Sequence, residues 1–354
     1  MPFSTLESEE AEGLSFVFFP GKLRFIDSRY LSFRAHMREV SEIEDFRSVN
    51  RWLTKLSKKS DSKHTRRNYL YWLRVFCDYA DMTPDELVEE REKDLQQSDI
   101  FRRRRAEDRL DGWFANLNET KSSRTGRKYA RNTVVAAYNA VRSFYKANYI
   151  ELHVDEAPST WPVKNKPGLT REELGRLLEA TRQPMHKAYT LCQAQSGLSV
   201  SDLLRVNYGV VADQIEKGSD YIHLRLLRGK EKQLGWFDTF LGKMSVEALK
   251  KHLMTREGLK GSSRLFPCTA RNVNSFLYRM SVRAGLGWSV SSHDLRKFFA
   301  TNLKLARVND PAFNETLIEY WQGHSLGKVK GAYFVPPVEE QLRLYKLAEP
   351  RLEP

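Results

Sequence analysis

From about residue 45 onward, apolar positions recur mostly at helical spacing. Leu70, Leu73, Phe76 and Cys77 fall on one side of a helix over 65–79, and Arg66, Arg67 and Arg74 decorate the rest. Residues 81–84 break that pattern. Thr83-Pro-Asp-Glu then reads as a capped start, with proline at the first helical position and acids in the first turn. Leu110, Trp113, Phe114 and Leu117 repeat the spacing, as do Val141, Phe144 and Tyr145 in a helix beginning near Asn132-Thr133. Residues 153–168 carry Pro158, Pro162, Pro167 and Gly168 without periodicity, which reads as a linker. Fully extended, such a segment reaches ~50 Å.

A second unit begins at Leu169, where Thr170-Arg-Glu-Glu173 has capping-box spacing ahead of Leu174, Leu177 and Leu178. A helix pair broken at Gly197 is expected over 186–206. Residues 221–228 partly alternate and read as a strand, 229–232 as its turn and 234–241 as the returning strand. Helices follow over 245–256, 271–285, 293–306 and 314–322. The expected fold is mostly α, with a small antiparallel β-hairpin in the second domain. The expected divisions are an N-terminal arm at 1–44, a helical domain at 45–152, the linker at 153–168, a second domain at 169–336 and a tail at 337–354. The tail spaces Leu342, Tyr345 and Leu347 as an amphipathic segment, which can pack back on its own domain.

Charge narrows the function. Among 354 residues, 58 Lys+Arg stand against 45 Asp+Glu, a net charge of +13 that favours a polyanionic partner, most simply nucleic acid. The apolar run 14–19 is too short for a membrane span and lacks the flanks of an export signal. Cys77, Cys192 and Cys268 are three and far apart, which argues against a disulfide framework or a cysteine zinc site. The expectation is an intracellular, cytoplasmic protein associated with DNA.

Five features of the second unit occur in order: the glycine turn Ser196-Gly-Leu-Ser199 leading to Asp202 and Arg205, Lys230 at the hairpin tip, His293-Asp-Leu-Arg296 opening a helix, Gly323-His324, and Tyr333 nine residues after that histidine. Each alone has an ordinary explanation. A lone tyrosine is usually half-buried, a surface arginine usually sits in an ion pair, and a histidine after a helix can simply answer the helix dipole. Together they suit phosphoryl chemistry. A planar arginine fork binds phosphate oxygens bidentately, histidine titrates near neutrality, and a phenol is an oxygen nucleophile.

In these motifs the chain resembles the tyrosine recombinases, or phage-type integrases, over about residues 45–336. GHSLGKVKGAYF at 323–334 is most similar to archaeal members. The resemblance implies a C-shaped clamp of two domains on double-stranded DNA, working as a homo-tetramer through a Holliday junction, with the tail at 337–354 docking on a neighbouring protomer and with no cofactor, no metal and no ATP. Tyr333 would be the nucleophile that forms a 3′-phosphotyrosine. Arg296, His293 and His324 would hold the phosphate, and Lys230 would protonate the leaving 5′ oxygen.

One position departs from the family pattern T/S-G-L-R-x-x-D/E: Ser199 stands where the first arginine clamp is expected, although Asp202 is kept. Arg205, about 120° off that face of an ideal helix, is the favoured replacement, ahead of Arg225 or Arg228. DNA contacts are expected from Arg66, Arg67, Arg102, Arg103, Arg104, Arg105, Arg127, Lys128 and Arg131. Two rival readings stay open: a type IB topoisomerase, and a DNA-binding protein whose catalytic centre has decayed.

Overall fold

The computed structural model describes residues 14–19, 22–27, 43–58, 62–122, 125–161, 166–228, 235–306, 313–327, 334 and 336–354. The chain divides into two compact units, 1–164 and 165–354.

In the first unit, β1 (Leu14–Phe19) and β2 (Lys22–Asp27) pair antiparallel, Leu14 opposite Asp27. Helices α1 (Arg47–Ser57), α2 (Lys63–Ala80), α3 (Pro84–Leu95), α4 (Ile100–Arg103), α5 (Arg105–Glu119) and α6 (Arg131–Ala147) follow. The capping box at Thr83 and Glu86 forms as its spacing predicts. Trp52, Leu73, Phe76, Leu110, Trp113 and Phe144 make a single aromatic-rich core, with Trp113 edge-on to both Phe76 and Trp72. Residues 153–161 are tied down: the His153 amide donates to Glu107, and Trp161 and Asn132 exchange backbone and side-chain hydrogen bonds.

The second unit runs α7 (Arg171–Glu179), α8 (Pro184–Ser196), a single turn α9 (Val200–Leu203), α10 (Ala212–Glu216), the hairpin β3 (Ile222–Leu227) and β4 (Trp236–Leu241), then α11 (Lys243–Leu253), α12 (Ala270–Arg283), α13 (Ser292–Ala306), α14 (Glu315–Trp321) and α15 (Val338–Ala348). This is the mostly helical fold with a small antiparallel hairpin that the periodicity predicts. Helix α8 is buried from Ala188 to Ser196 and packs against α11, α13 and β4. Its low amphipathicity follows from that central place, since a helix covered all round needs no polar face.

The tail packs on its own unit. Leu344, Tyr345 and Ala348 are buried, the Tyr345 hydroxyl donates to the Gln195 carbonyl at 2.9 Å, and Glu349 accepts from the Lys243 amide and the Tyr221 hydroxyl, each at 2.6 Å.

Candidate active site

Four chain segments meet around an open cavity of about 500 Å³. Each is brought there by a local feature of the sequence.

Helix α8 ends in Gly197 at φ 65°, a left-handed position. A side chain there would also collide, because a Cβ atom would lie 2.3 Å from Phe299 of α13. Glycine thus both stops α8 and lets α13 approach it. Ser199 then caps the single turn α9: its hydroxyl donates to Asp202 Oδ2 at 2.6 Å and accepts from the Asp202 amide at 3.2 Å.

At the start of α13, Asp294 accepts from the Ser291 amide and hydroxyl at 2.9 and 2.6 Å. That cap orients the first turn, from which His293 and Arg296 border the cavity. Arg296 is half-buried and its Nη1 donates to the Gly197 carbonyl at 2.9 Å. Burial draws its pKa down and Asp202 opposes this. The guanidinium stays cationic regardless, since arginine is not deprotonated in proteins.

Helix α14 ends in a Schellman motif. The Gly323 amide donates to the Tyr320 carbonyl at 2.8 Å, and the His324 amide to Glu319 at 2.9 Å. Gly323 has φ 72°, and a Cβ there would stand 2.8 Å from Phe237 of β4. The Gly-His pair therefore has a structural reason for each member: glycine turns the chain against the hairpin, and histidine is delivered to the cavity. Partial burial lowers the His324 pKa, and Arg296 adds to the effect.

Arg228 is the fourth contributor. Ile222 and Leu224 are buried and Leu226 half-buried on one face of β3, and Arg228 continues that two-residue alternation one residue past the strand. It is 9% exposed and lines the cavity with Arg296, His293, His324 and Ser199.

Hydrogen bonds lock the segments together. Gln193 Nε2 donates to the Leu198 carbonyl at 3.1 Å and to Ser292 Oγ at 2.6 Å, which joins α8 to α13. Gln322 Nε2 donates to the Arg296 carbonyl at 3.3 Å, which joins α14 to α13. Nearby, buried Asp238 on β4 accepts from the Tyr320 hydroxyl at 2.6 Å and lies 2.7 Å from His223 Nε2. Burial alone would raise the Asp238 pKa, but these hydrogen bonds hold it below the usual carboxylate range. Tyr320 also stacks edge-on with Phe334, at 5.8 Å between ring centroids, so the residue after Tyr333 rests on the hairpin network.

Of the residues the sequence singles out, His293, Arg296, His324, Ser199 and Asp202 border one cavity. Arg205 does not line it. Helix α9 ends at Leu203, and the Arg205 guanidinium folds back to donate to Asp202 Oδ1 and, at 3.2 Å, to the Ser201 carbonyl. Arg225 is exposed on the opposite face of the strand. Lys230 and Tyr333 lie outside the described residues. Sequence reasoning missed Gln193, Asn274 and Gln322, since no spacing marks a glutamine or asparagine as a brace. Asn274 lines the cavity and its side chain accepts from the Ser292 amide at 3.2 Å. Among the described residues no cluster of histidine, cysteine and carboxylate side chains is arranged to hold a metal, and no helix is long and apolar enough to cross a membrane.

The expected DNA contacts fall into two groups. Arg67, Arg102, Arg103 and Arg127 are exposed. The others are engaged: Arg66 with Glu44 at 2.5 Å, Arg104 with Asp155 at 3.2 Å, Arg105 with Asp94, and Lys128 with Glu119 at 2.5 Å. Arg131 lies over the rings of Phe114 and Trp161, at 4.7 and 5.2 Å.

No family model matches the chain, and no curated protein matches it significantly. Solved structures do. A lambda integrase(75-356) dimer bound to a COC' core site is 14% identical with a TM-score of 0.52, covering 80% of this chain and 95% of that one. XerH site-specific recombinase bound to difH substrate is 17% identical with a TM-score of 0.47, covering 88% and 93%. XerA recombinase is 19% identical with a TM-score of 0.37, covering 85% and 97%. The lambda integrase likeness, with its TM-score of 0.52 at 14% identity, is one of architecture: the chain has a tyrosine recombinase-type fold.

Proposed function

We propose that this protein is a site-specific DNA recombinase that cleaves and rejoins duplex DNA through a 3′-phosphotyrosyl linkage. One observation carries the reading: His293, Arg296 and His324, drawn from two helix ends, border a single open cavity that also takes in Arg228. Two guanidiniums and two imidazoles beside one carboxylate suit a phosphodiester, whose non-bridging oxygens gain charge as phosphorus becomes five-coordinate. The N-terminus of α13 adds its partial positive charge.

In this reading the Tyr333 phenolic oxygen bonds to phosphorus and passes its proton to the imidazole of His324. The bond to the 5′ oxygen breaks, and Lys230 supplies that oxygen with a proton. The phosphotyrosine ester conserves the energy of the broken linkage, so rejoining needs neither ATP nor a metal. His324, with its lowered pKa, is neutral near pH 7 and can both donate and accept a hydrogen bond. Arg67, Arg102, Arg103 and Arg127 of the first unit would follow the phosphate backbone. Strand exchange would take a tetramer on two duplexes and a Holliday junction.

A second reading, a DNA-binding protein without cleavage, is favoured by Ser199 standing where the resemblance expects an arginine. A nicked suicide duplex, carrying a site selected from a random pool by the full-length protein, separates the two. The recombinase reading expects a covalent adduct. That adduct disappears in Tyr333→Phe and falls by about 10²–10³-fold in Arg296→Ala while DNA affinity stays within a few-fold. No adduct under any condition leaves the binding reading. Plasmid relaxation without synapsis points instead to topoisomerase action.

A further inference from the structure

We propose that Arg228, and not Arg205, supplies the second guanidinium that holds the scissile phosphate. The inference rests on the strand-transfer reading above and assigns one more residue to that site.

Four observations lead to it. First, Arg228 lies on the inward face of the hairpin, in line with Ile222 and Leu224, so the strand's alternation directs it away from bulk water. Second, it is only 9% exposed, and away from bulk solvent a cation attracts an anion entering the cavity more strongly than it would in water. Third, it borders the same cavity as Arg296, His293 and His324. Fourth, Ser199 borders that cavity too, and a serine hydroxyl brings no charge to it. A long side chain from the end of β3 then serves a space that the turn leaves open. Arg205 has a different part. It binds Asp202, whose carboxylate lines the cavity, and so offsets a negative charge that would repel phosphate.

In the reaction no proton moves to or from Arg228. As the Tyr333 oxygen bonds to phosphorus and the 5′ oxygen leaves, Arg228 would hydrogen-bond a non-bridging oxygen on which charge accumulates, complementing Arg296. A planar fork suits that geometry and a lysine ammonium does not.

The test uses the full-length protein on the nicked suicide duplex, with an ordinary phosphodiester or a methylphosphonate at the scissile position. The methylphosphonate replaces one charged non-bridging oxygen by a neutral methyl group, and so removes the need for one cation. Arg228→Ala is expected to slow adduct formation by about 10²–10³-fold on the phosphodiester. It should bind DNA within a few-fold of wild type and lose most of its deficit on the methylphosphonate. Arg228→Lys should remain impaired on the phosphodiester, and adding Ser199→Arg to Arg228→Ala should restore part of the rate. If Arg228→Ala loses its cooperative melting transition, Arg228→Lys must show the same dependence on substrate. Wild-type rates in Arg228→Ala overturn the assignment, and so does an equal deficit on both substrates, which would mark a purely structural residue. Absence of adduct from the wild-type protein itself overturns the strand-transfer reading, and this inference with it.

Discussion

Arg91, Arg105 and Arg109 of the first unit each meet a carboxylate, whereas Arg296 of the second gives its hydrogen bond to a backbone carbonyl. The first group is structural. Arg91 and Glu107 are 1% and 4% exposed and bond bidentately at 2.9 and 2.5 Å, and Arg91 also donates to the Arg103 carbonyl, so one buried pair stitches α3, α4 and α5. Arg296 keeps its formal charge at the edge of an open cavity beside Arg228. The contrast shows that an arginine count says little about where an anion binds. A guanidinium matched to a carboxylate is already neutralised, while one matched to a carbonyl still carries its positive charge.

The contrast breaks most readily at its buried end. Arg91→Met should cost about 3–5 kcal/mol by leaving the Glu107 carboxylate buried alone, and the double variant Arg91→Met/Glu107→Leu should recover most of it. Urea denaturation midpoints measure both, and a single variant near wild-type stability would show that the pair is not structural.

A middle-sized effect concerns acid. His252 is buried on Phe266, and burial lowers its pKa, while half-buried His186 on Phe276 is lowered for the same reason. Below the ordinary histidine value of 6.5 the unfolded chain takes up protons that the folded chain refuses. Stability from these rings is therefore full above about pH 6.5 and declines as pH falls toward the folded-state values. His252→Gln should flatten that slope in thermal melts between pH 7 and 5. An unchanged slope would place its origin in other groups.

The smallest effect sharpens the comparison within the basic run itself. Arg102→Ala and Arg103→Ala should each reduce the salt dependence of DNA affinity by about one phosphate contact. Arg105→Ala, which removes a partner of buried Asp94, should lower stability and leave that dependence alone. Equal changes in the salt slope for Arg102 and Arg105 would erase the distinction drawn between exposed and engaged arginines.

Much of this was legible along the chain. The apolar spacing predicts the helices, and Thr83 and Thr170 cap theirs as their neighbours require. Features set by residues three or four apart are local, so periodicity reports them. His293 and Arg296 belong here, because residues three apart at the start of one helix share a face whatever packs against it. Gly323-His324 does too, since a left-handed glycine ends a helix wherever the helix lies.

What tertiary structure alone decided depends on partners distant in sequence. Residues 102–105 form one uniform basic run, yet Asp94 and Asp155 claim two of its members and leave Arg102 and Arg103 exposed. The amphipathic tail suits a neighbour or its own domain equally well, and the Gln195 carbonyl and the Lys243 amide hold it at home. Arg205 stands closest in sequence to the position lacking an arginine, but the early end of α9 turns it onto Asp202, while Arg228 reaches the cavity from the hairpin. Spacing determines which side chains share a face; long-range packing determines which of them meet a carboxylate and which reach the cavity.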